Sequence, residues 1–390
     1  MARILPPAEY ATFGAFWALA MVLGFGAFLP LEQELARRLP QLGDRRSVLR
    51  AGAGAAGVLA LVALGVLALA SPLVLRSFDG NVSSFVALAA LCVVSAGQFL
   101  VRGAVIGTDR LVRHGGIMVL DALLRLGLAV LVFLLGGADS AALCWALVLA
   151  VALAHLPQLP AVWRRAVADS PPSAPDEGVS PRRFVAACLP LLLGSVCAQL
   201  LLNGLPVLVV AQSPETAEAA AGAFVAAFTL VKAPLAMVVP LQSAIVPTLT
   251  RLIVAGRRPE VLALLFKGGA ALLGLIAVAV PVMVWLGPPV IALVFGDDYA
   301  IGGGDLALMA AGVLAHVGLV VVTQVHVARG RHGVVALSWA AALATAGLTW
   351  ALVPAPVLGA ELAFLAGSVA GAVVSGAALM MRPERPGRTP

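Results

Sequence analysis

The chain has 390 residues, of which 61% are hydrophobic and 11% charged, with a mean hydropathy of +1.04 and a formal net charge of +6. That balance excludes a soluble globular domain, and the recurrent long apolar runs read as membrane-spanning helices, not as the short alternating strands of an outer-membrane barrel. The excess positive charge lies in loops beside those runs, which points to membrane orientation and away from a nucleic-acid partner.

The opening Met1-Ala-Arg-Ile-Leu is not a signal peptide, because Pro6, Pro7 and Glu9 interrupt it before any useful apolar length. Eleven spans follow, at about 11–30, 52–75, 83–105, 115–136, 141–162, 184–211, 219–248, 261–287, 304–328, 333–353 and 357–381. Alternate loops carry the cations. These groups run from Arg37 to Arg50, Arg102 to Arg113, Arg164 to Arg183 and Arg251 to Lys267, then Arg329 with Arg331, then Arg382 to Arg388. Of the 25 Lys and Arg, only Arg3, Arg76, Arg125 and Lys232 fall elsewhere. This pattern predicts an all-α polytopic protein of the cell (inner) membrane with a cytoplasmic C-terminus.

The polar segment 164–183 is rich in Pro, Ser and charge and reads as a cytoplasmic linker. It separates an N-terminal bundle, 1–163, from a C-terminal bundle, 184–381, with a tail at 382–390. The loops on the other side are short, so no domain outside the membrane offers room for an active site. Cys92, Cys144, Cys188 and Cys197 all fall inside predicted spans and read as small buried apolar side chains.

The two bundles repeat one another. Gly14-Ala15-Phe16 lies against Gly222-Ala223-Phe224, and the segment from Ser71 to Gly80 lies against that from Pro288 to Asp297, which sets Phe78 on Phe295. Copies of a multi-helix unit in one membrane chain mark a two-lobed transporter. In this register the run 184–211 has no counterpart before Gly14, so the first copy is expected to lack one helix.

Ionisable groups inside spans are functional candidates, because burying them in a bilayer is costly. Asp121 and Arg125 stand one helical turn apart and either close as an ion pair or face a cavity. Lys232 lies mid-span with no acid within a turn, which predicts a water-filled cavity around it. Ser195, Gln199 and Asn203 form a polar stripe, suited to interhelical hydrogen bonds or to sugar hydroxyls. Ser95, Gln98 and Arg102 form a weaker stripe, Arg102 reading as a cytoplasmic anchor. His316 and His326 read as satisfied polar residues, and Pro234 with Pro240 predict a bend. Asp121 is here the only mid-span acid, set against two bases, and favours an anionic cargo. The chain shows no metal-ligand spacing, no phosphate-binding loop and no paired loop carboxylates, so neither a cofactor nor an enzymatic activity is expected.

Three stretches carry a family resemblance. Pro7-Ala-Glu9-Tyr10 with the helix after it, the segment from Ala226 through Arg257-Arg258, and Phe295-Gly-Asp-Asp-Tyr299 resemble polysaccharide-export flippases of the multidrug/oligosaccharidyl-lipid/polysaccharide (MOP) superfamily. The resemblance implies two six-helix lobes around a cavity that opens to alternate sides. It implies a polyprenyl-pyrophosphate-linked saccharide as cargo, moved from the cytoplasmic to the outer leaflet, with Arg125 and Lys232 as cavity bases. It also implies contact with membrane lipids and envelope-biosynthesis partner proteins. A drug/cation antiporter of the same superfamily, an integral-membrane glycosyltransferase or polymerase, and a non-transporting scaffold are the competing expectations.

Overall fold

The computed structural model describes residues 5–40, 44–136, 139–168, 180–214, 217–237, 257–329 and 331–380. The middle of the linker, the second half of the seventh predicted span with Pro240, and the tail 382–390 lie outside them. The described chain is helical, and 11 of its helices are long and apolar enough to cross a membrane, matching the predicted spans within a few residues at most ends. This is a multi-pass membrane protein.

Contacts divide the chain into two compact units, Met1–Ala226 and Ala227–Pro390. This boundary lies within the seventh predicted span, 219–248.

In the first unit, α1 (Pro7–Met21) starts on Pro7, where a missing N–H costs nothing. It passes through a π-helical segment, Val22–Phe28, into α2 (Leu29–Arg38). Then come α3 (Arg45–Leu69), α4 (Ser71–Ser77), α5 (Val82–Gly107), α6 (Leu111–Leu134), α7 (Ser140–His155), α8 (Leu159–Ala168), α9 (Pro181–Gln212) and α10 (Glu218–Val231), which runs across the boundary. Several starts are capped as the sequence dictates. Asp44 accepts from Ser47 N, Asn81 from Ser84 N and Asp139 from Ala142 N. Helix α9 packs on α1, the π segment, α2, α3 and α4, which places the sixth span in the first unit.

Two glycines let α10 lie close to α1. A Cβ on Gly14 would strike the Val225 side chain, and one on Gly222 would strike the Pro7 carbonyl. These are the two glycines that the repeat sets in register, so the crossing is reciprocal. Phe16 and Phe224 beside them are both fully buried. The second pair of aligned segments each carries a positive φ at the matched place: Asp79 (φ 50°) follows Phe78 and Gly296 (φ 107°) follows Phe295. The copies differ just before this point. The first breaks at Ala70 to start α4, whereas the second runs unbroken as α11 (Arg258–Phe295) through Pro281, Pro288 and Pro289.

In the second unit, α11 packs on α12 (Gly303–Ala328), and α14 (Pro356–Met380) packs on both α12 and α13 (His332–Leu352). Much of α11 is exposed apolar surface, including Phe266, Leu273, Val278 and Trp285, as a helix facing lipid requires.

Candidate functional site

The sequence candidates fall in different places. Asp121 and Arg125 close on each other as a two-point pair, Nη2 to Oδ2 at 2.6 Å and Nε to Oδ1 at 3.0 Å. The guanidinium also lies 5.6 Å from the centre of the Trp17 ring, tying α6 to α1. Both partners are spent on each other.

Ser195 donates to the carbonyl of Gly26 at 2.7 Å, across from α9 to the π segment. Asn203 Nδ2 donates to Gln199 Oε1 at 2.7 Å, and Asn203 is buried. Of the stripe, Ser195 bonds to another element, while Asn203 and Gln199 bond along their own helix. Gln98 is buried on α5. All four cysteines are buried and free of disulfides.

Lys232 follows the last residue of α10. The helix gives way there to a 3₁₀ turn, Ala233–Met237, because Pro234 cannot continue the ladder. Its backbone N–H still bonds Phe228 O at 3.0 Å, and its ammonium stands 5.2 Å over the Phe228 ring. A cation inside an apolar span is costly to bury, which keeps Lys232 a functional candidate.

Arg102, read as a cytoplasmic anchor, has a side chain that is 12% exposed, stacks on Phe99 at 4.9 Å and lies 2.8 Å from Glu32 Oε2. Beside Asp121, the acid read as mid-span, further acids are buried. Glu32 is buried beside Arg102, and Glu361 is 2% exposed on α14. Glu32 lay just past the end of the predicted first span, and Glu361 near the start of the last. Distance from a run's edge is a poor guide to burial among the helices.

Glu361 is the acid that sequence reasoning missed most clearly. Among the described residues no donor reaches either of its carboxylate oxygens. The charged group that acts on it is another carboxylate, Asp305 at the start of α12. One turn along α14, Phe364 stacks on His316 at 5.4 Å, and Ser368 Oγ lies 3.5 Å from His316 Nδ1. Deeper along the same α12–α14 contact, His326 Nε2 meets the Ser375 carbonyl at 2.9 Å.

A cavity of about 400 Å³ opens at one end of the first unit, lined by Glu9, Thr12, Arg76, Asp79, Asn81 and Glu218 among others. Glu9, from the Pro-Ala-Glu-Tyr motif, accepts from Ser140 N at 3.1 Å and so caps α7. Among the described residues no group of His, Cys, Asp and Glu could hold a metal ion.

With this geometry in view, the fold is that of the multidrug and toxin extrusion (MATE) transporters of the MOP superfamily. An inward-facing multidrug resistance MATE transporter of that superfamily matches with a TM-score of 0.66 at 15% identity, covering 97% of this chain and 91% of its own. The Vibrio cholerae MATE transporter VcmN in its bent form matches with a TM-score of 0.55 at 16% identity, covering 96% and 86%. No family model matches the sequence. The protein Rv1510 of Mycobacterium tuberculosis, described as uncharacterized, is 31% identical over 397 aligned positions, which cover 98% of this chain and 87% of that one. The uncharacterized Mb3654 of Mycobacterium bovis is 29% identical over 369 positions, covering 89% and 79%. The chain belongs to the family of Rv1510.

Proposed function

We propose that this transporter is a flippase for a lipid-linked saccharide, moving an anionic pyrophosphate head group across the membrane by alternating access. The reading rests on one observation, Lys232 at the interruption of α10. A cation held at the broken end of an apolar helix matches a diphosphate, whose several charged oxygens accept strong charge-assisted hydrogen bonds in a low-dielectric setting. Arg125 contributes less than its position in the sequence suggested, since Asp121 already neutralises it. The sugar hydroxyls would meet polar side chains away from the Ser195–Asn203 stripe, which is occupied with backbone and neighbouring groups. On this reading the chain acts as a transporter and not as an enzyme.

The test is Lys232→Gln in vesicles, scored as flipping of lipid-linked saccharide with the membrane level of protein checked. Loss of flipping at normal protein level is expected. Wild-type flipping by the variant would remove Lys232 as the head-group ligand.

A second reading, a cation-coupled drug antiporter, is supported by a different residue. Glu361 is a buried carboxylate without a donor among the described residues, the kind of group at which a coupling cation would bind. Efflux of a cationic dye that disappears in Glu361→Gln and persists in Lys232→Gln would favour this reading over the first.

A further inference from the structure

The cavity of about 400 Å³ in the first unit lies where α1, α7 and α10 begin and α4 and α9 finish, the end opposite the arginine-bearing loops. Its size falls in the range of roughly 300–1,000 Å³ that holds small molecules. Small residues make the room: Ala8 and Ala11 on α1, Ala211 on α9 and Ala221 on α10. A tight turn after α4 forms one wall. There Asp79 (φ 50°) and Gly80 (φ 72°) follow one another, and Gly80 N bonds back to Leu75 O at 2.8 Å.

Two buried hydroxyls line this cavity, Thr12 at 8% exposure and Ser140 at 4%. Neither side chain forms a hydrogen bond among the described residues. Elsewhere in the chain such hydroxyls close on their own helix: Ser338 donates to Val334 O at 2.8 Å and Thr349 to Thr345 O at 2.9 Å. Buried polar groups are bonded as a rule, so hydroxyls left open to a cavity mark where a ligand's own groups fit. Their neighbours are open too. Glu9 spends one oxygen on Ser140 N and keeps the other, while Asn81 spends its Oδ1 on Ser84 N at 3.0 Å and keeps its amide N–H groups. Arg76, Asp79 and Glu218 line the same space, and none of them forms an ion pair among the described residues.

The lining therefore mixes donors and acceptors over a small volume. An anion would meet three carboxylates, and a cation would meet Arg76 and the Asn81 amide. Among the described residues no group of ligands could hold a metal ion. A polyhydroxylated ligand satisfies both kinds at once, because each hydroxyl can donate to a carboxylate and accept from a guanidinium, amide or hydroxyl. We propose that this cavity binds a saccharide. Glu9, Asp79 and Glu218 accept from the sugar hydroxyls, and Thr12, Asn81, Ser140 and Arg76 donate to them. The ligand class is a short glycan, either free or at the head of a lipid-linked cargo; only the second source rests on the flippase reading.

The experiment uses the full chain in nanodiscs and reads sugar binding by saturation-transfer NMR. The probes are the methyl glycosides of glucose, galactose, rhamnose and N-acetylglucosamine, with tetramethylammonium as a cationic competitor. At least one glycoside should bind, and Thr12→Val combined with Ser140→Ala should bind it about tenfold more weakly. Neither substitution removes a hydrogen bond seen among the described residues, so the fold should stay intact. Glu218→Gln keeps an acceptor and should keep most of the binding. No binding by any of the four glycosides, or wild-type affinity in the double variant, would overturn the proposal. Displacement by equimolar tetramethylammonium, with binding lost in Glu218→Gln, would overturn the saccharide and leave a cation site. The glycoside that binds is then compared with the same sugar on citronellyl diphosphate. Tighter binding of the lipid-linked form, still weakened in the double variant, assigns the site to the cargo, and equal binding assigns it to a free glycan. Lys232→Gln should leave binding of the free glycoside unchanged. The flippase reading is scored on flipping, so a negative result here strikes this site and leaves that reading standing.

Discussion

Within Met1–Ala226, buried carboxylates come with guanidinium partners. Glu32 meets Arg102, Glu34 meets Arg37 and Arg38, and Asp121 meets Arg125. Within Ala227–Pro390, Glu361 is buried, His316 is buried among Phe364, Trp339 and Ser368, and the ion pair seen among the described residues, Arg257 with Glu260, is 58% and 47% exposed. The contrast separates two uses of charge. A paired buried charge is held in one state, because removing either partner strands the other in an apolar setting. A buried acid without a donor is unfavourable for stability, and that is where a change of charge state has most to act on.

Breaking the largest pair gives the largest effect. Arg102→Ala leaves Glu32 buried with no counter-charge and should cost about 3–5 kcal/mol, seen as a large drop in melting temperature in detergent. Glu32→Gln combined with Arg102→Gln should recover much of that loss. Next comes the reciprocal glycine crossing. Gly222→Ala drives a methyl group into the Pro7 backbone and should cost about 1–3 kcal/mol, whereas Gly14→Ala meets a Val225 side chain that can turn and should cost less.

The second unit should respond with the opposite sign. Glu361→Gln removes a buried acid that has no donor among the described residues, so the melting temperature should hold or rise, against the fall expected for Glu32→Gln. A large fall at Glu361→Gln would place it with the paired carboxylates and end the comparison. The smallest effect belongs to the exposed pair: Arg257→Ala should change stability by less than about 0.5 kcal/mol.

The spans and their order were legible in the sequence because a bilayer requires long apolar runs with internally satisfied backbone, a demand that composition alone exposes. The internal repeat was legible for a related reason. Gly14 with Gly222 and Asp79 with Gly296 do the same geometric work, so residue type and spacing persist where the rest has drifted. Partnership was not legible. Arg102 finds Glu32 seventy positions away, and no local spacing announces that pair. The Ser195–Asn203 stripe has a composition open to either use, and the sequence does not disclose that Ser195 bonds to Gly26 O on another element while Asn203 bonds to Gln199 on its own helix. Lys232 was legible as a cation in an apolar span, and its position at a helix break followed from Pro234.

The π segment Val22–Phe28 has a consequence for angular phase. A π turn carries more residues than an α turn, so α2 leaves it rotated relative to the line that α1 alone would set. In an α-helix each residue advances the azimuth by about 100°. Removing a single residue from this stretch would let it relax to α-helix and would leave α2 close to its present phase, since the π turn absorbs one surplus residue. Held to α geometry with every residue kept, the stretch would instead swing α2 by roughly 100° and turn Glu32 away from Arg102, while Glu34, Arg37 and Arg38 would turn together on the one helix. The surplus residue in VLGFGAF works as a phase shifter, and the pairing of Glu32 with Arg102 depends on the phase it sets.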